Sequence, residues 1–244
     1  MYRKTTFRNL LLAFSTSALL ASCSQTEESQ EIQESEVTLS AKVSTNIPSE
    51  GDDGSLVFRN VTVTDVNISV KDVKMILKIA DSKTLPITLI TPNKGPKFIV
   101  PMVKDEHILL SRMGSFLAPN GVYTNMSFDL TKADHLPETD PMYGKSVLIK
   151  ADWKGIPSMM YLDIEENIDI KFNPGTEVNG TQELVLELYM DKLLMGIDPG
   201  LVQDGNGDGM IIVGPNNEDG NEAVYDMIEA HLEEALRLKN GEFK

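Results

Sequence analysis

The chain has 244 residues, with 22 Lys and Arg against 37 Asp and Glu and a formal net charge of −15. A surface that acidic is repelled by nucleic acid and by anionic lipid, so no nucleic-acid partner is expected. The single cysteine excludes an internal disulfide, and an aromatic content of 6% is modest for a protein that would stack sugars on exposed rings.

Arg3, Lys4 and Arg8 precede an apolar run from Leu10 to Ala21, the charged n-region and short h-region of a secretory signal. A membrane helix needs about 20 apolar residues, and this run is shorter and contains Ser15, Thr16 and Ser17. It ends in Leu20, Ala21, Ser22 and Cys23, and in these four residues the chain resembles bacterial lipoproteins, whose lipobox is Leu, two small residues and Cys. The resemblance implies loss of residues 1–22, a diacylglycerol thioether on Cys23 and an acyl chain on the new amino group. Two or more chains give stable anchoring, so a membrane is the expected partner through this N-terminal lipid. Lipidation also removes the oddity of a free exported thiol. Removal of Arg3, Lys4 and Arg8 leaves 19 basic against 37 acidic residues, a net charge of −18.

Residues 23–36 follow as SQTEESQEIQESE after the cysteine, with almost nothing to bury, and are expected to form a disordered tether. Acidic residues so close to the cysteine resemble signals that send some lipoproteins to the outer face of the outer membrane, and Ser24 is compatible with outer-membrane sorting. A plain acidic spacer reads the same way, so the face of that membrane stays open.

Residues 37–195 have the period of β-strands. Val73, Met75, Leu77 and Ile79 alternate with Lys74 and Lys78, and Val147, Ile149, Ala151 and Trp153 with Lys150, Asp152 and Lys154. The pattern recurs in Ile168, Ile170 and Phe172, and in Leu184, Leu186 and Leu188. Turn-forming clusters separate the runs at Pro48 to Gly54, Pro92 to Pro96, Ala118 to Gly121, Pro137 to Gly144 and Asn173 to Gly180. Many short strands without intervening helices predict a mainly β domain, an antiparallel β-sandwich, with Trp153 on an inward phase as a core aromatic. Four sequons, at Asn60, Asn67, Asn125 and Asn179, carry no weight behind a bacterial lipobox. VTVTDVNISVKDVKMIL, and LAPNGVYTNMSFDLTKA with its Pro-Asn-Gly-x-Tyr turn, resemble uncharacterised lipoproteins with immunoglobulin-like or transthyretin-like sandwiches. That resemblance implies a fold and no activity.

Residues 196–244 read as an Asp/Gly-rich loop and a C-terminal amphipathic helix. From Asp219 to Gly241, Val224, Met227, Ile228, His231, Leu232, Ala235 and Leu238 recur at helical steps. Asp219 and Glu222 have capping-box spacing, and Arg237 and Lys239 stand at the expected C-terminal end. The apolar face is expected to dock on the sandwich; a partner-binding helix is the other reading.

The loop carries the one constellation with ligand chemistry. Calcium takes oxygen ligands from alternate positions of an Asp/Asn/Gly loop. Asp204, Asn206, Asp208, Gly209 and Ile211 match positions 1, 3, 5, 6 and 8 of EF-hand and dockerin-like loops, and the Met210 carbonyl falls at position 7. Position 12 is Pro215 instead of an acid, so one of Glu218, Asp219 or Glu222 would have to fold back. A hydrated turn, built from the same residues for their backbone angles and side-chain hydrogen bonds, is the competing reading.

No catalytic arrangement accompanies it. His107, His135 and His231 are far apart in sequence, and there is no HExxH, GxSxG or P-loop motif. Asp163, Glu165, Glu166 and Asp169 read as solvent-facing residues around a turn. The expectation is a non-enzymatic, lipid-anchored envelope protein of structural or protein-interaction type, with a structural calcium ion at the loop as a candidate cofactor. A surface glycan-binding or adhesion module is the alternative, ahead of an acidic hydrolase.

Overall fold

In chain order the elements are β1 (Glu34–Ser44), β2 (Leu56–Phe58), β3 (Val61–Ile79), β4 (Lys83–Thr88), β5 (Lys97–Lys104), β6 (His107–Ile108), β7 (Ser111–Pro119), β8 (Gly121–Leu130), β9 (Val147–Trp153), β10 (Ile156–Leu162), β11 (Glu166–Val178), β12 (Gln182–Tyr189), α1 (Met190–Leu193), β13 (Ile211–Val213), α2 (Glu222–Ala235) and β14 (Leu236–Asn240). The structure is a computed structural model that describes residues 33–46, 55–58, 61–79, 83–91 and 95–240. The secretory segment, Cys23 and residues 24–32 lie outside the described residues, as does the Pro48 to Gly54 cluster.

Side-chain alternation decides the architecture. Val73, Met75 and Leu77 of β3 are buried while Lys78 is exposed, and Val147, Ile149, Ala151 and Trp153 of β9 are all buried. A strand with one apolar face must lay it on another layer, and two sheets do this for each other. The smaller has the order β14-β12-β1-β7; the larger runs β11-β8-β3-β9-β10-β13, with β2, β4 and β5 also paired to β3 and β6 to β5. Val37, Leu39, Ala41 and Val43 of the smaller sheet share one apolar cluster with Val63, Ile68, Met75 and Phe128 of the larger. Trp153 is 4% exposed with its indole N–H unpartnered, a core aromatic.

The expected antiparallel pattern holds for most pairs, but the sheets are mixed. β1 runs parallel to β12, with Leu39 opposite Leu184 and Val43 opposite Leu188, and β10 runs parallel to β13. Only strands joined by a tight hairpin are forced to be antiparallel. β1 and β12 are far apart in the chain, so the burial of their apolar faces sets the register without any turn constraint.

Three boundaries differ from the sequence reading. β1 begins at Glu34, inside the segment whose composition reads as tether. Ser35 is buried there; its hydroxyl donates to Asn120 Oδ1 (2.6 Å) and accepts the Gly180 amide (3.0 Å). The Asn173 to Gly180 cluster does not end a strand, because β11 continues to Val178 while its register against β8 slips between Lys171 and Thr176. β11 is an edge strand, where a proline and a bulge are tolerated. The helix stops at Ala235, and Leu236–Asn240 forms β14, antiparallel to β12 with Leu236 opposite Leu188 and Leu238 opposite Leu186. Leu236 and Leu238 satisfy a period of two as well as a helical one, and the open edge of β12 offers backbone partners that a further helical turn would leave unpaired. Arg237 and Lys239 therefore lie in a strand and not at a helix C-terminus.

The buried face of α2, Val224, Ile228 and Leu232, joins the core cluster together with Met190 and Leu193 of α1. The helix is docked. α2 contacts β12 and β14 of the smaller sheet and β13 of the larger, so it bridges the two sheets.

Candidate functional site

The Asp/Gly-rich loop leads into β13, whose three residues add to β10 with Ile211 opposite Ser158 and Val213 opposite Met160. Asp204 closes the loop: its Oδ1 accepts the amides of Gly207 (2.7 Å) and Asp208 (3.2 Å), and its Oδ2 that of Gly209 (2.8 Å). Asn206 Oδ1 accepts the Asp208 amide (2.8 Å), and Asp208 Oδ1 the Met210 amide (2.9 Å). The side chains at positions 1, 3 and 5 are thus tied to the amides of their own loop, as in a turn held by Asp and Asn. Positive φ angles at Gly207 (75°) and Gly209 (88°) account for those two glycines.

Of the three acids that stand beyond Pro215, Asp219 packs against the loop. Asp219 is 2% exposed, and its Oδ2 accepts the Ile212 amide at 2.6 Å while its Oδ1 is buried with no hydrogen-bond partner. Its main chain lies against Gly205, where any Cβ would overlap the Asp219 carbonyl. The carboxylate therefore sits between the start of the loop and its exit at Ile212. Glu222 is exposed at the first turn of α2, where its amide donates to Asn217 Oδ1 (3.1 Å). The capping box does not form: Asn221 is the N-cap residue, and Asp219 is engaged elsewhere.

Glu218 turns to Tyr161, whose hydroxyl donates to it, and Asn216 Nδ2 donates to the same oxygen (3.3 Å). Burial alone would raise the Glu218 carboxyl, but the hydrogen bonds from Tyr161, its own amide and the Asn216 groups outweigh it and hold the carboxyl below its ordinary value. Burial first, and then Glu218, push the Tyr161 hydroxyl up to about 12. Lys145 Nζ lies 5.0 Å above the Tyr161 ring, and Gly214 is packed so closely on the ring that a Cβ there would overlap it.

Asn221 is the residue that sequence reasoning missed. Buried at 2% exposure, it accepts the Gln203 amide (3.1 Å) and donates to the carbonyls of Gln203 (2.8 Å) and Ile212 (2.9 Å), joining both ends of the loop. The sequence reading started the helix at Asp219, which put Asn221 inside its first turn and hid this role.

Among the described residues no three His, Cys, Asp or Glu side chains are gathered as a set that could hold a metal ion. Asp163 pairs with Lys132 (3.0 Å), Glu165 accepts from Thr131 (3.3 Å) and Asp169 from Asn125 (2.6 Å), each acid with its own partner. His107 and His135 are exposed, and His231 lies near the Leu193 carbonyl (3.3 Å).

Fold and loop together define a mainly β protein with mixed sheets, a docked C-terminal helix and a side-chain-closed Asp/Gly loop at their junction. No family model matches the chain, and no curated protein does. Among solved structures, MbnP from Methylosinus trichosporium is similar over 68% of this chain and 78% of its own, at 12% identity and a TM-score of 0.37. A likeness at that level carries no argument.

Proposed function

We propose that the chain is a lipid-anchored protein of the outer membrane, whose β-rich body is a non-enzymatic β-sandwich serving a structural or protein-interaction role in the cell envelope. The observation that carries this reading is Leu20-Ala21-Ser22-Cys23 directly behind a basic and then apolar N-terminus. The shared core of the two sheets, with α2 bridging them, supports the sandwich. No helix among the described residues is long and apolar enough to cross a membrane. The test is incorporation of labelled fatty acid in cells. Wild-type protein is expected to take up label and fractionate with membranes, and Cys23→Ser to take up none; unlabelled wild-type protein refutes the anchor.

A glycan-binding module would need an aromatic platform. Tyr143, at 37%, is the most exposed of the aromatic side chains whose burial is described, which favours the first reading.

Calcium enters as a structural ion at the loop. The observation in its favour is the bare, buried Oδ1 of Asp219, since a buried carboxylate oxygen without a partner is costly; Glu218 Oε2 is buried without a partner as well. Asp204, Asn206, Asp208, the Met210 carbonyl and Asp219 would supply the oxygens, with Glu218 and Glu222 as the further candidates. Asp204 and Asp208 would share their carboxylates between the ion and the loop amides. It would pin the start of α2 to β13.

A further inference from the structure

β3 distinguishes two ends of the body. Near its start Val63 lies opposite Ala151, Ala151 opposite Ser158, and Ser158 opposite Ile211, so the Asp204 to Asp219 loop belongs to this end. Near its finish Leu77 lies between Leu85 of β4 and Tyr123 of β8, and the Tyr123 hydroxyl donates to the Pro119 carbonyl (3.0 Å). The β7–β8 turn at Asn120 is at this second end, and the Asn120 amide donates to the carbonyl of Gln33 (2.8 Å). The chain arriving from Cys23 therefore enters the body at the end opposite the loop. Val63 and Leu77 are separated along one strand by about 45 Å at about 3.3 Å per residue, somewhat less where the strand bends.

Three apolar side chains at the entry end are exposed: Leu85 (42%), Leu117 (54%) and Val122 (44%). Leu117 and Val122 flank the Asn120 turn on its two strands, and Leu85 faces Leu77 beside them. Their cross-strand neighbours Glu36 and Glu177 are exposed carboxylates, Glu36 paired with Arg112 Nη2 (3.4 Å), and Lys78 and Lys83 are exposed at the same end. The segment from Cys23 to Gln33, however it is arranged, spans no more than about 35 Å. The entry end is therefore the one held within that reach of the anchored residue.

We infer that the entry end, with Leu85, Leu117 and Val122, rests on the surface of the bilayer that holds the lipid and that the Asp/Gly loop is held at the far end, away from lipid. This rests on the lipid-anchor reading of Cys23. A short tether keeps these side chains at high effective concentration beside the interface, where partial burial of apolar groups is favourable.

The test uses the intact lipoprotein, purified from membranes and reconstituted into phosphatidylcholine vesicles with or without brominated acyl chains, which quench tryptophan on contact. Trp153, the only native tryptophan, is buried near the start of β3 opposite Val61 and serves as an internal reference. Leu117→Trp and, independently, Val122→Trp are expected to lose most of their added emission in brominated vesicles. Ile156→Trp, opposite Trp153 at the loop end, is expected to lose none. Mass spectrometry of the same samples separates the two readings. Lipid on Cys23 with no quenching at 117 and 122, or equal quenching at 156, overturns the orientation and leaves the anchor standing. A mature chain without lipid overturns the anchor and this inference with it.

Discussion

Asp219→Asn separates the two readings of the loop. The asparagine keeps an oxygen for the Ile212 amide and replaces the bare Oδ1 with an amide group, removing a buried charge. An unsatisfied buried polar group costs about 1–3 kcal/mol, more when charged, so in chelator the variant is expected to be as stable as wild type or more stable by up to about 1 kcal/mol. With calcium at about 100 times its dissociation constant, wild type gains about 2.7 kcal/mol. At about 2–4 °C per kcal/mol for a chain of this size, that is a rise of about 5–10 °C. The variant is expected to lose most of this rise. Thermal melts of both proteins, followed by circular dichroism in calcium and in chelator, read all four values. Equal calcium shifts in the two proteins, or no shift in wild type, would refute the role of Asp219 as a ligand and leave the loop a turn. Asp204→Ala is a poorer probe: Asp204 accepts three loop amides, so its loss destabilises the protein with or without the ion.

Two further predictions concern the edges of the body and its pH response. A mature chain shortened to begin at Val37 loses the Ser35 bonds to Asn120 and Gly180 and the Gln33 carbonyl that accepts the Asn120 amide, and is expected to lose roughly 2–4 kcal/mol at about 0.5–1.5 kcal/mol per bond, read by urea titration. One beginning at Gln33 is expected to match the full mature chain; equal stability of both would show that residues 33–36 do not belong to the fold. Tyr161 is raised from 10.0 to about 12, so its contribution is complete below pH 10 and is lost as pH rises toward 12. Glu218 is lowered from 4.5, so its contribution is present above that pH and is lost as acid takes the carboxyl through its lowered value. Tyr161→Phe is expected to flatten both limbs of the stability profile; unchanged slopes would mean that the pair does not act as a unit.

The β character was legible because burial on one sheet face leaves a period of two in the sequence, as Val73, Met75 and Leu77 show. Trp153 was legible by the same phase. Pairings between distant strands were not, because nothing local marks β1 as the parallel neighbour of β12. Leu236 and Leu238 fit two periods, and only the free edge of β12 decides between them. Similarly, Glu34 and Glu36 made a strand look like tether, since the outward half of an exposed strand has the composition of a linker. At the loop, the spacing of Asp204, Asn206 and Asp208 was readable and the placement of Glu218, Asp219 and Glu222 was not. Glu218 is placed by Tyr161, 57 residues away, and Asp219 by the way Gly205 admits its main chain.

The position of β1 has a consequence for how the chain becomes folded. It is the first strand among the described residues and an interior strand of the smaller sheet, with Val37 facing Phe116 on one side and Gln182 on the other. Neither neighbour exists when β1 leaves the ribosome. At about 5–20 residues per second, β1 waits roughly 7–30 s for β12, with Val37, Leu39, Ala41 and Val43 uncovered. Pairings that close such long loops are slow to form. The acidic residues around that strand thus stand beside the apolar run that most needs to be kept soluble until its late partner arrives.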